Sequence, residues 1–225
     1  MSVAIVTGAS RGLGLALTRA LANEGWKVVV DARGAQALRR ATRELEGEVV
    51  AVAGDVADAA HRRALVDAAG PRIDLLVNNA GVLGPSPQPF LADYPIDELE
   101  RVYRINVLAQ LALTQVVIPR MPPGGRIVNV TSDAAVFPYE GWGGYGSAKA
   151  ALDQLSAVLG QEHPALRVYA VDPGDMRTQM HQDAFPGQDI SDRPPPEDSV
   201  PGLLALIAGD EPSGRYRTAD VAVTA

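Results

Sequence analysis

The sequence predicts one α/β domain of the doubly wound kind, a mostly parallel central sheet with helices on both faces. Three observations predict it. Apolar, β-rich runs alternate with segments of helical periodicity along most of the 225 residues. The runs, such as "VAIVT" and "KVVVD", are near-continuously apolar rather than alternating, as strands buried on both faces are. A glycine-rich turn, "VTGASRGLG", joins the first strand candidate to the first helix candidate.

The elements follow in order. "VAIVT" (3–7) is a strand, and "GLALTRALANEG" (14–25) a helix stopped at Gly25. "KVVVD" (27–31) is the second strand, and "AQALRRATREL" (35–45) an amphipathic helix with Arg and Glu on its outer face. "EVVAVAGD" (48–55) is a strand, "AAHRRALVDAA" (59–69) a helix, and "IDLLVNNAG" (73–81) a strand running into a loop. One long helix is expected over 96–121, stopped by Pro122, then a strand over 125–132, a helix over 145–162 and the last strong strand over 166–174. The stretch 182–201 is rich in Pro, Asp and Ser, and too little chain follows it for a second domain. A surface loop or lid at about 176–200 is the expectation, so that residues 1–225 form a single domain. A short helix over 202–208 and a final edge strand within "SGRYRTADVAVTA" complete the reading.

Composition narrows the function. Apolar residues make up 47% and charged residues 21%, an ordinary globular mixture. A net charge of −7 argues against nucleic acid as a partner, because phosphate contacts need a basic face. There is no cysteine for a disulfide framework or a thiolate metal site. The start "MSVAIVTGAS" lacks the basic region of a secretion signal, and "VLAQLALTQVVIP" is too short and interrupted to cross a bilayer. A soluble, cytoplasmic protein without a membrane partner is expected.

Two features carry chemistry. Gly8, Gly12 and Gly14 in the strand-to-helix turn permit positive φ and let backbone N–H groups approach a pyrophosphate. The helix start adds roughly half a positive charge beside those phosphates. The second feature is "GGYGSAKAALDQ" (143–154), with Tyr145 and Lys149 four residues apart. On a helix that spacing puts the two on one face, β-carbons ~5–6 Å apart. An ammonium near a phenol favours the phenolate, which fits Tyr145 for general acid–base work. The small residues from 143 to 150 are expected to leave room for ligand.

With these pieces the chain resembles the short-chain dehydrogenase/reductase family, in its short-subunit NAD(P)-dependent form with a Rossmann-type domain. Besides the glycine loop, the resemblance rests on Asp55 in "GDV", "NNAG" (78–81), Asn106 in "RINVLAQ", Ser132 in "VNVTS", Tyr145 and Lys149, and "DPG" with Thr178 beyond it. The pieces stand in family order over residues 3 to about 180, with Ser132 and Tyr145 thirteen apart. The resemblance implies an oxidoreductase moving a hydride between a nicotinamide cofactor and an aldehyde, ketone or secondary alcohol. Asn106, Ser132, Tyr145 and Lys149 would be catalytic. Asn106 would hold a proton-relay water, Ser132 the substrate oxygen, and Lys149 the nicotinamide ribose. Gly8, Ser10, Arg11, Gly12, Leu13, Gly14, Asp55, Val56, Asn79, Ala80, Gly81, Pro173, Gly174 and Thr178 would line the cofactor, together with Tyr145 and Lys149.

The family selects NAD with an acidic residue at the end of the second strand and NADP with a basic residue just after. Aligned on Gly25 and the helix start at Ala35, Ala32 takes the acidic position and Arg33 the basic one. With Arg11, this makes NADP the expected cofactor; a one-residue shift would put Asp31 on the ribose and make it NAD. Val136 and Trp142, with Phe137 and Tyr139, are expected on one substrate wall, and Met176 and Met180, with Phe185, on the other. His181 is read as a solvated loop residue. His61 and His163 lack partners at metal spacing, so no metal is expected. The apolar helices 96–119 and 145–162 suggest a homodimer. The final segment lacks the glycine ending of many members, which puts the family's tetramer contacts in doubt. The alternative to an enzyme is a non-catalytic NADP-binding sensor on the same fold. An epimerase or dehydratase would need a longer chain.

Overall fold

A computed structural model describes residues 1–222. Seven strands form one parallel sheet: β1 (Val3–Val6), β2 (Lys27–Ala32), β3 (Val49–Ala53), β4 (Leu75–Asn78), β5 (Arg126–Val130), β6 (Arg167–Asp172) and β7 (Gly214–Arg217). Their order is β3-β2-β1-β4-β5-β6-β7, so the chain winds outward in both directions from β1. The last three residues of the segment expected to hold the edge strand lie outside the described residues.

The continuous apolar runs are explained by the two faces. Successive strand residues point to opposite sides. Ala4, Val6, Val28, Val30, Leu75 and Val77 belong to one core, with Leu13, Leu17 and Leu21 of α1 (Gly12–Asn23) and Leu203 and Leu206 of α8 (Val200–Ala208). Their alternates Ile5, Val29, Leu76 and Ile127 belong to the other, with Leu65 of α3 (Ala59–Ala69) and Leu113 and Val117 of α5 (Gln110–Val117). Burying each such side chain stabilises by ~1.5–3 kcal/mol. The second helix, α2 (Ala35–Thr42), anchors one fully buried residue, Leu38.

The long helix is not uniform. α4 (Ile96–Tyr103) passes into a π-helical stretch, Arg104–Ala109, before α5, and a 3-10 turn, Ile118–Arg120, ends it. The sequence reading of an unbroken α-helix is corrected here. Asn106 lies in this stretch: its side chain is fully buried and doubly bonded to the backbone of Val82, accepting from N–H at 2.9 Å and donating to C=O at 2.8 Å. The helical run Ile96–Arg120 is also longer than the apolar stretch inside it suggests, and is long and apolar enough to cross a membrane by length and composition only. Its inward side, from Val102 through Leu113 to Val117, is packed against the rest of the protein.

Two helices frame the site. α6 (Gly143–Glu162) carries the Tyr–Lys pair and starts two residues earlier than the spacing predicts. The expected lid contains α7 (Gln179–Ala184), capped by Thr178, whose hydroxyl accepts from the N–H of His181 at 3.2 Å. A buried chain of amides and hydroxyls ties α5 and α6 to the sheet. Asn78 donates to Thr114 at 3.1 Å and to Asn129 at 2.8 Å, and Asn129 donates to Ser156 at 2.8 Å.

Candidate active site

The C-terminal ends of the strands, where β1 separates the two halves of the sheet, open into one cavity of about 780 Å³. Gly8, Ser10, Arg11, Gly12 and Leu13 line one end, Arg33, Asp55 and Val56 one side, and Asn79, Ala80 and Gly81 the floor. Ser132, Tyr145, Lys149, Pro173, Gly174 and Thr178 line the other end, with Trp142, Met176 and Met180. Most of the sequence-predicted residues are thus gathered here; Phe185, expected beside Met176 and Met180, is not among the lining residues, and neither are the following. Asn106 spends its side chain on Val82 instead of facing the cavity. Gly14 lies behind the loop, packed on Asn79 and Gly8. Val136 is 52% exposed and stands off the wall, as do Phe137 and Tyr139.

The glycine loop fits a dinucleotide by the shape of its backbone. Gly8 sits at φ +71°, and a β-carbon there would lie 2.9 Å from the Cα of Ala80. Asn79 secures the loop by donating to the carbonyls of Thr7 at 2.8 Å and Gly8 at 3.3 Å. A β-carbon at Gly14 would lie 2.6 Å from the Asn79 amide nitrogen and 2.7 Å from the Gly8 carbonyl. Gly14→Ala is therefore expected to displace the loop, weakening cofactor affinity by roughly tenfold or more and lowering stability by about 1–3 kcal/mol. Cofactor titration and thermal melting check both effects.

Asp31 lines the cavity but is bonded within the protein. It is buried, and its two oxygens are engaged: one accepts from the N–H of Gly8 at 2.7 Å, the other meets Nε2 of His61 at 3.1 Å. Gly54 makes room for that imidazole, since any β-carbon there would overlap it. Arg33 is exposed at the rim. Neither the Asp31–His61 pair nor its hold on the glycine loop is visible in sequence, because 30 residues separate the partners.

At the far end from the glycine loop, Tyr145 is 7% exposed and packs edge-on against Trp142, ring centres 5.9 Å apart. Lys149 lies over the Tyr145 ring at 5.5 Å and donates to the Val130 carbonyl at 2.7 Å. The Ser132 hydroxyl donates to Asp133 at 3.0 Å and accepts from the N–H of Ala134 at 3.2 Å. To hold a substrate oxygen it must turn its proton away from Asp133.

Two sequence expectations about this helix are corrected. An ammonium beside the phenol does not by itself favour the phenolate here. Burial, then the negative charges of Asp172 and Asp133, hold the Tyr145 proton above its ordinary range. The ammonium sits over the ring and is itself brought down to about 8 by burial, partly opposed by Asp153. Nor do the small residues simply clear space for ligand. Gly144 admits the ring of Tyr94, Gly143 admits Leu91, and a β-carbon at Gly146 would lie 2.6 Å from the Ala134 carbonyl. They allow α6 to approach its neighbours closely enough to aim Tyr145 and Lys149 into the cavity.

Sequence reasoning missed several lining residues: Leu83, Asp133, Asp172, Asp175 and His181. Asp133 follows Ser132 and Asp172 precedes Pro173, so adjacency to named motifs was the available signal. His181 is not a solvated loop residue. Its side chain is 12% exposed, 3.8 Å from Asp175, and its ring packs at a tilt against Phe185. Phe185 in turn packs on Trp142.

Comparison with known proteins agrees with this geometry. The short chain dehydrogenase profile matches residues 2–189. An uncharacterized oxidoreductase of Methylorubrum extorquens is 33% identical over 97% of this chain and 94% of its own length. The sepiapterin reductase of Meriones unguiculatus is 36% identical over 80% of this chain and 76% of its own. Among solved structures, the KRED1-Pglu enzyme is 34% identical with a TM-score of 0.86, covering 96% of this chain and 100% of that one. A short chain dehydrogenase of Shigella flexneri in complex with NADP is 27% identical with a TM-score of 0.88, covering 97% of each chain. The 3-ketoacyl-(acyl-carrier-protein) reductase of Brucella melitensis, in complex with NADH, is 26% identical with a TM-score of 0.86, covering 96% of this chain and 95% of that one. With its parallel sheet, its glycine loop and a Ser, Tyr and Lys in one cavity, the chain belongs to the short-chain dehydrogenase/reductase family, as an NAD(P)-dependent oxidoreductase.

Proposed function

We propose that the protein is an NADP(H)-dependent carbonyl reductase, interconverting an aldehyde or ketone with its alcohol, with Tyr145 as general acid and base. The observation that carries this reading is the single cavity joining the glycine loop to Ser132, Tyr145 and Lys149. The bound nicotinamide would supply or accept the hydride. The chain's own residues do the rest. Ser132 turns from Asp133 to hold the substrate oxygen. Tyr145, protonated at neutral pH because it is buried beside two aspartates, gives its proton to that oxygen in reduction. Lys149 is placed to lower the cost of the phenolate that remains and to hold the cofactor's ribose. The side chain of Asn106 is committed to Val82, so any relay water it holds would be held through its π-helical backbone. Relatives named as reductases favour carbonyl reduction as the working direction.

NADP is preferred over NAD in this reading because Asp31 is occupied while Arg33 and Arg11 stand at the rim. Charge-assisted bonds to a 2′-phosphate contribute about 1.5–3 kcal/mol each. Arg33→Ala is therefore expected to raise the KM for NADPH roughly tenfold to a hundredfold while leaving that for NADH within about twofold. Initial rates with each cofactor measure this, and equal losses for both would remove the assignment.

Trp142, Met176, Met180 and Leu83 form the substrate walls, with residues 176–200 as a lid on a single domain. The homodimer proposed here would use the outer faces of the π-helical stretch, α5 and α6, where Leu108, Val116 and Val158 are exposed. A cytoplasmic site of action suits a cysteine-free chain of this composition. The reading is tested by cofactor oxidation with NADPH and NADH against a panel of aldehydes, ketones and diketones. Absence of turnover with every member would leave the sensor reading in its place.

A further inference from the structure

One side chain outside the cavity reaches the backbone and the counter-charges of the catalytic group. Arg215, on the edge strand β7, is 28% exposed at its side chain. Its Nε donates to Asp153 at 2.9 Å, and one terminal nitrogen donates to the carbonyl of Ser132 at 3.0 Å. The same nitrogen lies 3.5 Å from Asp172. These partners come from α6, from the turn after β5 and from β6, at separations of 62, 83 and 43 residues.

Each partner bears on a proposed catalytic residue. The Ser132 carbonyl belongs to the residue meant to hold the substrate oxygen. Asp153 stands one helical turn beyond Lys149 and favours its ammonium. Asp172 is 4% exposed, accepts from the N–H of Gly174 at 2.9 Å, and is one of the two aspartates that favour the protonated Tyr145. Arg217 also approaches Asp172, but only to 3.9 Å.

We propose that Arg215 is a positioning residue for the reaction, clamping the Ser132 backbone while neutralising the two aspartates, Asp153 and Asp172, that flank Lys149 and Tyr145. The inference rests on the reading of Tyr145 as the acid–base group. A guanidinium suits the role because its rigid, planar fork holds separate nitrogens toward a carboxylate and a carbonyl in one fixed geometry, whereas an ammonium is a single point on a flexible stem. Without it, Asp172 would face the site with only Arg217 near it. The groups facing Tyr145 would then be Lys149 from α6, Asp133 from the turn after β5, and an under-compensated Asp172 from β6. His181 and Asp175 on the lid side face each other.

The direction of the effect follows. Added negative charge beside a phenol favours its protonated form. Arg215→Gln is expected to move the rising limb of the alcohol-oxidation pH profile upward by about 0.5–1 unit. Turnover should fall about tenfold near neutral pH, with cofactor affinity within about twofold, since Arg215 does not line the cavity. Arg215→Lys keeps a charge and loses the fork, so its limb should stay near that of the parent while turnover still falls. Adding Asp172→Asn to Arg215→Gln removes the unbalanced charge and should return the limb toward its original place.

Because turnover depends on finding a substrate, the same titration is also read directly. NMR of protein carrying ring-labelled tyrosine, saturated with NADP⁺, follows ionisation of Tyr145, identified by its absence in Tyr145→Phe. An upward shift of that resonance's titration in Arg215→Gln, reversed by Asp172→Asn, supports the proposal. An unmoved titration overturns it, whether or not turnover falls, because a merely structural arginine would lower activity or stability without moving the phenol. If Tyr145→Phe keeps activity, the acid–base reading fails instead, and the NMR titration still decides whether Arg215 sets the charge at Tyr145.

Discussion

Tyr145→Phe is expected to lower turnover by about 10²–10⁴-fold, the usual contribution of a positioned general acid. The variant isolates the chemistry because it keeps the ring. The edge-on contact with Trp142 and the packing with Leu83 and Ala134 depend on the ring, not the hydroxyl. Cofactor affinity should stay within about twofold and melting within a few degrees. The pH dependence carries a second expectation. Burial and the charges of Asp172 and Asp133 keep the phenol protonated, so reduction should run on a plateau through neutral pH. Oxidation, which needs the phenolate, should climb as pH rises. Paired rates in both directions from pH 6 to 10 check this. A Phe variant with wild-type turnover would remove Tyr145 from the mechanism.

Lys149→Met is expected to abolish turnover and yet stabilise the fold. Lys149 is 3% exposed, and burial brings its pKa from the ordinary 10.5 down to about 8. Keeping it charged at neutral pH costs the folded state on the order of 3 kcal/mol, at 1.36 kcal/mol per pKa unit. Methionine removes that cost, but leaves the Val130 carbonyl without its 2.7 Å donor, a loss of about 1 kcal/mol. A net gain of about 1–2 kcal/mol near pH 7 remains, which would raise the melting temperature by several degrees. The sign depends on pH. Below about 8 the lysine is protonated both folded and unfolded, so the native protein bears the full cost. Between about 8 and 10.5 the unfolded chain binds a proton the folded one does not, so wild-type stability rises with pH. The advantage of the Met variant should therefore be largest at neutral pH and shrink toward pH 10.5. Urea unfolding of both proteins at pH 7 and pH 9.5 measures it. A destabilised variant at pH 7 would mean that the hydrogen bond outweighs the buried charge.

These two residues show the division between what was legible in the chain and what was not. Local signals placed them well: i,i+4 spacing on a helix, strands apolar on both faces, and a glycine turn between strand and helix. Such signals depend on near neighbours, so short stretches of sequence carry them. The π-helical stretch around Asn106 was illegible in a sequence whose local pattern reads as one helix, and the partner of the Asn106 side chain, the backbone of Val82, lies 24 residues away. What raises the proton affinity of Tyr145 was illegible for the same reason. Lys149 was visible beside it, but Asp172 comes from another strand, and burial belongs to the assembled core.

By itself the sequence determined the order of elements, the doubly wound fold and the identity of the glycine loop and the Tyr–Lys pair. Periodicity and turn chemistry act over a few residues and survive translation into a string. Only the tertiary structure decided that Asp31 is held by Gly8 and His61, that Val136 faces solvent, that the glycines of α6 accommodate Tyr94 and Leu91, and that Arg215 spans three elements to reach Ser132. Each is a contact between residues distant in the chain, and desolvation and charge at a site are sums over such contacts.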